Sequence, residues 1–213
     1  MKTHNRDFQF HKEILTEKQV ELLRLIKVFK REFYLVGGTA VALHLGHRRS
    51  IDFDLFKNGQ LRKRAIKDKI KNNGFSYKII HQSYEEFTIE ISSVKITFYN
   101  YPYNIKHQLS FNNIINLPTL LDLSAMKALA LGGRAKWKDY VDLYFILKDY
   151  YSLKEISKRA KKIFMDDFNK KLFRQQILYF EDIDYSEKIE YVSKGISDDE
   201  IKRFLINIAT TPF

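Results

Sequence analysis

One stretch limits the folds open to this chain more than any other: YLVGGTAVALHLGHRRSIDFDLF, from Tyr34 to Phe56. Phe33-Tyr34-Leu35-Val36 is a short aromatic and β-branched run that suits a buried strand, and it stops at two glycines. Glycine lets a backbone approach a ligand closely. The pattern predicts a helix beginning near Thr39, with Ala40, Val41, Ala42, Leu43 and Leu45 as its apolar body and Gly46 as its C′ stop. His47-Arg48-Arg49 then forms a basic loop. In Ile51-Asp52-Phe53-Asp54-Leu55-Phe56 the side chains alternate, so Asp52 and Asp54 leave one face of a strand while Ile51, Phe53 and Leu55 fill the other.

This order of elements carries a chemical expectation. A helix start offers unpaired N–H groups and the positive end of a dipole, so Gly37, Gly38 and the Thr39 hydroxyl make a site for phosphate oxygens, with Arg49 adding cationic charge nearby. Two carboxylates about 7 Å apart on one strand face can share a hard divalent cation. Mg²⁺, with Mn²⁺ as the alternative, takes one or two carboxylates plus substrate phosphates. Asp-x-Asp alone equally suits the wet face of a half-buried strand. Its combination with Gly-Gly-Thr in one strand-turn-helix-loop-strand frame is what points to Asp52 and Asp54 as metal ligands.

A second block, LLDLSAMKALALGGRAKWKDYVDLYFILK at residues 120–148, makes its own demands. Leu120, Leu121, Leu123, Met126, Leu129 and Ala130 recur near helical spacing, leaving Lys127 as a cation within a largely apolar helix. Such a lysine either snorkels to solvent or finds a partner. Asp139 and Asp142, three apart, share one face of a following helix. Asp139 also reads as an ordinary first-turn charge.

These two blocks resemble the DUF1814 nucleotidyltransferases, also called the AbiEii/AbiGii toxin family, within the polymerase-β-like superfamily. With the strands between them the resemblance spans about residues 20–150. It implies an α+β fold: a polymerase-β-like mixed sheet flanked by helices, followed by a C-terminal helical region. It implies that Gly37, Gly38 and Thr39 hold the triphosphate of an NTP, that Asp52 and Asp54 bind Mg²⁺, and that Lys127 contacts nucleotide phosphates. Asp139 and Asp142 match the family's Asp-x-x-Asp; Asp142 is expected either to hold Lys127 or to orient the attacking hydroxyl. Arg134, in the connecting loop, is a further candidate for nucleotide or RNA phosphate. One departure stands out. Many members of the superfamily carry a third carboxylate on a later strand, where Val94-Lys95-Ile96-Thr97-Phe98-Tyr99 offers Thr97. Glu90 is the available substitute, although its alternation with Ile89 and Ile91 also suits a wet sheet face.

Charge and composition bound the partners. Thirty-seven Lys and Arg against 26 Asp and Glu leave +11, which suits a polyanion such as nucleic acid. Arg62, Lys63, Arg64, Lys67, Lys69 and Lys71 cluster just after the proposed metal strand, where an RNA end would enter; a solvated helix face has the same pattern. Lys154, Lys158, Arg159, Lys161 and Lys162 form a second cluster. The absence of cysteine excludes disulfides, cysteine nucleophiles and cysteine-based zinc sites. No apolar run approaches the roughly 18 residues of a membrane span, and MKTHNRDFQFHKE lacks a signal-peptide core, so a cytoplasmic location is expected.

The rest of the chain divides by period. Thr16-x-x-Gln19 opens a helix over 17–30 that packs Val20, Leu22, Leu23, Ile26 and Val28, and a basic helix runs from Leu61 to Asn73-Gly74. Strands are expected over 77–80, 87–91 and 94–99, extending the sheet antiparallel. Beyond Pro118 the pattern is helical, with capping boxes at Ser152 and Ser197 and a helix over 166–180. Residues 1–116 are therefore read as a nucleotidyltransferase sheet domain, and 117–213 as helices that pack on it and complete the active site. Residues 181–195 are irregular and acidic. The function this implies is Mg²⁺-dependent transfer of NMP from NTP to an acceptor. By resemblance the acceptor is the 3′ end of tRNA, and the protein is a toxin with a cognate antitoxin. Two alternatives stay open: NMP transfer to a protein side chain, and a non-catalytic nucleotide- or RNA-binding module.

Overall fold

The structure is a computed structural model that describes residues 9–133, 135–192 and 194–211. Its frame is a seven-stranded mixed sheet of β1 (Tyr34–Val36), β2 (Phe53–Lys57), β3 (Lys78–Gln82), β4 (Glu86–Ile91), β5 (Val94–Asn100), β6 (Leu109–Phe111) and β7 (Ile115–Leu117) in the order β3-β4-β5-β2-β1-β7-β6. β2 sits between antiparallel β1 and parallel β5, and β1 pairs parallel to β7 on its other side. The helices are α1 (Glu17–Val28), α2 (Gly37–Leu45), α3 (Lys63–Asn72), α4 (Leu120–Leu131), α5 (Trp137–Asp149), α6 (Leu153–Phe164), α7 (Lys170–Leu178) and α8 (Asp198–Thr210).

Local chemistry starts and stops these helices where their sequences ask. Thr16 with Gln19, and Ser152 with Glu155, form complete capping boxes on α1 and α6. Ser197 accepts from the Glu200 N–H at the start of α8. α2 ends at Gly46, whose φ of 67° is the left-handed stop. Alternation gives the sheet two faces. Leu55, Phe98 and Phe87 pair across one of them and are fully buried. α1 and α3 cover that face: Phe29 meets Phe98 edge-on with centroids 4.8 Å apart, Lys67 lies over the Phe87 ring, and Ile66 and Ile70 are buried. The opposite face carries Asp54, Thr97 and Thr88 in register. α4 roofs its central part, sharing a cavity wall with Val36, Phe56 and Tyr99. β3 is exposed along its whole length, and a bulge between Ile79 and His81 breaks its register with β4.

Several expectations are corrected. β1 has only three residues before the chain turns into α2, so its pairing with β2 ends at Val36–Asp54. Asp52 therefore precedes β2 and Ile51 is 55% exposed, not in the core. Val20 is likewise exposed, and Leu25 takes the buried position on α1. The helix expected over 166–180 is a 3₁₀ turn, Met165–Asp167, followed by α7, which Asn169 caps through the Lys171 and Leu172 N–H groups. The β6–β7 hairpin adds two three-residue strands to the edge beyond β1. The basic helix α3 lies on the face opposite Asp54, and Lys63, Lys67 and Lys69 bond to Ser83, Gln82 and Glu32, so the cluster does not line the site as expected.

His44 ties α2 to the start of the helical region: its Nε2 bonds the Pro118 carbonyl at 3.0 Å. Burial pushes its pKa down to about 4, against the opposing pull of that carbonyl. The folded protein thus keeps His44 neutral where the unfolded chain protonates it, so stability falls as pH drops from about 6.5 toward 4. Urea unfolding at pH 7 and pH 5 should show this loss, and His44→Gln, which retains an N–H donor, should diminish it.

Candidate active site

The site is built where β1 becomes α2 without a linker. Gly37 is the first helical residue, with φ at 70°. A Cβ there would fall onto Oδ2 of Asp54 and 2.8 Å from its Cγ, so glycine is required both by the backbone and by the carboxylate pressed against it. At Gly38 a Cβ would meet Arg48 Nη2 at 2.8 Å and Ser50 Oγ at 3.0 Å. Thr39 is buried, and its hydroxyl donates to the Asp52 carbonyl. That hydroxyl is thus committed to anchoring Asp52 just outside the strand. In this structure the Thr39 hydroxyl proton is spent on that positioning bond.

Two cavities meet at Asp54. A polar one of about 160 Å³ gathers Asp52, Asp54, Gly38 and Ser50 with Lys95 and Thr97 of β5, Lys136, Lys138 and Asp139 at the start of α5, and Glu187. An apolar one of about 340 Å³ is walled by Phe56, Tyr99 and Tyr101 of the sheet side and by Leu123, Met126, Leu129 and Ala130 of α4, with Gly37, Asp54 and Lys127 also lining it. Among the described residues Asp54 is the carboxylate that borders both.

Behind them lies a buried charge network. Asp142 accepts from Arg48 Nε at 2.7 Å and Nη2 at 2.9 Å, from His47 Nε2 at 2.7 Å, and pairs with Lys127 Nζ at 2.6 Å. Lys127 also donates to Asp139 Oδ1 at 2.6 Å. Burial by itself would raise the Asp142 pKa, but Arg48, then Lys127 and His47, hold it well below the usual carboxylate range. Burial likewise opposes the Lys127 charge, yet Asp139 and Asp142 keep its pKa raised. His47 is driven toward neutrality by burial, so its Nε2–H is the donor to Asp142. Two cations and two carboxylates thus balance, with Arg48 and Asp142 buried behind the cavities and Lys127 and Asp139 at their walls.

The structure brings Gly38, Asp52, Asp54 and Asp139 into one cavity, and Gly37 and Lys127 into the cavity adjoining it. Asp142 does hold Lys127, the first of its two expected roles; being wholly buried, it does not reach an attacking hydroxyl. Arg49 is turned aside, paired with Glu190 at 2.7 Å and bonded to the Glu13 carbonyl, and lines neither cavity. Arg134 lies outside the described residues. Thr97 stands in register beside Asp54, at the place of the absent third acid, whereas Glu90 pairs across from Lys95 and lines neither cavity. Sequence reasoning missed Lys136, Lys138 and Glu187. The lysines lay inside the quoted second block, where their i, i+2 spacing at a helix start was the available signal; nothing local marked Glu187.

Among the described residues no group of three His, Cys, Asp or Glu is arranged to hold a metal. The donor set is nevertheless of the right chemistry for a hard cation that keeps waters and shares substrate phosphates: two carboxylates lining one polar cavity beside a helix start. No helix among the described residues is long and apolar enough to cross a membrane.

Comparison with known proteins places the fold. It is similar to MenT4, a nucleotidyltransferase toxin from Mycobacterium tuberculosis H37Rv, with a TM-score of 0.62 at 13% identity over 90% of this chain and 81% of that one. It is also similar to JHP933 from Helicobacter pylori, with a TM-score of 0.54 at 18% identity over 92% and 91% of the two chains. At such identities the likeness is one of fold alone. In sequence, an uncharacterized protein of Aquifex aeolicus is 30% identical over 156 residues, 71% of this chain and 75% of its own. The model of the AbiEii nucleotidyl transferase toxins of type IV toxin-antitoxin systems matches residues 22–210, and the chain belongs to that family. It is a nucleotidyltransferase.

The network and the cavity separate under mutation. Asp142→Ala, which strands the buried Arg48 and leaves Lys127 with Asp139 alone, should cost about 3–5 kcal/mol in urea unfolding. Asp52→Ala, at the cavity wall, should change stability by less than about 1 kcal/mol while removing nucleotide transfer.

Proposed function

We propose that this protein moves NMP from NTP, with Mg²⁺, onto the 3′ hydroxyl of an RNA acceptor of the tRNA class, releasing pyrophosphate. We further place it in the cytoplasm as the toxin of a type IV pair whose antitoxin counters the same activity. The observation that carries the reading is the meeting of a polar and an apolar cavity at Asp54, beside the glycine-started helix.

The apolar cavity suits a nucleoside, and its tyrosines and Phe56 offer ring faces to a base. The Gly37 and Gly38 N–H groups donate to phosphate oxygens at the α2 dipole. Asp52 and Asp54 hold Mg²⁺, which supplies Lewis-acid polarisation of the phosphoryl group. The same carboxylates orient the attacking hydroxyl and draw off its proton. Lys127, clamped by Asp139 and Asp142, serves as a fixed cation at the nucleoside cavity and not as a mobile phosphate ligand. The acceptor reaches Asp54 across the uncovered part of the sheet, where Lys95 and Lys78 are exposed on the same face.

Purified protein incubated with each α-labelled NTP, Mg²⁺ and total RNA should place label in RNA, and the Asp52→Ala/Asp54→Ala variant should lose at least about 10³-fold of it. Label in protein would move the acceptor to a side chain. NTP binding without transfer in either fraction would favour a non-catalytic module, the outcome Thr97 makes worth testing.

A further inference from the structure

Residues 181–192 form a strap that brings Glu187 to the wall of the polar cavity. One end is tied to the start of α5: the Asp184 N–H donates to the Ala135 carbonyl at 2.8 Å and its own carbonyl accepts from Trp137 N–H at 3.1 Å. The other end is tied to the basic loop: Arg49 N–H donates to the Glu190 carbonyl at 2.8 Å, and Val192 N–H to that of His47 at 3.2 Å. Between the ties, Glu187 divides its carboxylate between two lysines. Oε1 lies 2.6 Å from Lys136 Nζ, and Oε2 bonds Lys138 Nζ. All three residues line the cavity that holds Asp52 and Asp54.

This arrangement has the form of an anion site with an anion in it. Two ammonium groups converge on one pair of oxygens, as they would on a phosphate. Lysine is a point charge on a flexible stem, so both heads can pass from a carboxylate to a phosphate without backbone movement. An incoming triphosphate is itself anionic, and its neighbourhood with Glu187 is repulsive unless one of them takes the lysines.

We propose that Lys136 and Lys138 bind the outer phosphates of the NTP, and that Glu187 occupies them until the polyphosphate displaces it, setting the affinity for substrate. The proposal rests on the nucleotidyltransferase reading of this cavity and assigns it two ligands and a built-in competitor. Glu187 is a positioning residue here. Removing its charge frees the lysines, so the wild-type strap makes nucleotide binding weaker than the cavity allows.

The test is calorimetric binding of Mg²⁺-tripolyphosphate to the full chain, which has no base or transferable nucleotide. Glu187→Gln, folded by circular dichroism, should bind about fivefold or more tightly than wild type. Lys136→Gln/Lys138→Gln should bind at least about tenfold more weakly. Equal or weaker binding by folded Glu187→Gln overturns the proposal, as does undiminished binding by the double lysine variant or no binding by wild type and Glu187→Gln alike. The lysine variant leaves the strap's backbone ties in place and judges the proposal even where Glu187→Gln is unstable. Failure of the larger reading looks different: tripolyphosphate binding would follow this pattern while no protein transferred NMP to any acceptor.

Discussion

Asp142 is the point on which this molecule closes. One carboxylate accepts two bonds from Arg48, one from His47 and an ion pair from Lys127, and so joins the loop after α2 to α4 and α5. Charges this deeply buried are not a cheap source of stability, because each has given up its hydration. What they confer is geometry: a charge lacking its partner is so unfavourable that alternative packings are excluded. Arg48 held in that position places its guanidinium against Gly38, and Lys127 held in that position brings Asp139 to the polar cavity.

A second constraint runs through Asp54. The start of α2 and the Asp54 carboxylate compete for one volume, and the absence of a side chain at Gly37 resolves it. The carboxylate thereby stands at the junction of an apolar space fit for a ring and a polar space fit for phosphates and a cation. Asp52 has no strand pairing to fix it, and the Thr39 hydroxyl does so instead. The glycines and the threonine of one turn thus divide the work: the glycines give room and the threonine gives anchorage.

Much of this was legible in the chain, because it depends on local pattern. The alternation from Phe53 to Leu55, the Gly46 stop and the capping boxes at Thr16 and Ser152 are short-range signals, and the structure uses them as such. What could not be read depends on distant pairing. Lys127 was visibly a cation in apolar company, but its partners are 12 and 15 positions away on another helix. The burial of Arg48, which reads as an ordinary member of a basic loop, is decided by Asp142. Three-residue strands such as β6 and β7 carry too little pattern to announce themselves. Ile51 looked like core because alternation assumes that a strand continues, and β1 ends too soon for that. Glu187 acts through contacts some fifty residues back, with no periodicity around it.

The open end of the sheet has its own logic. β3 carries two exposed isoleucines and an unpaired ladder, which in a flat strand is a template for copies of itself. The offset between Ile79 and His81 spoils that template by misaligning the donors and acceptors, and Lys78 adds charge where a neighbour would dock. The protein therefore terminates its sheet by mismatch instead of by a covering helix, so the edge nearest Thr97 and Asp54 is guarded by its own irregularity.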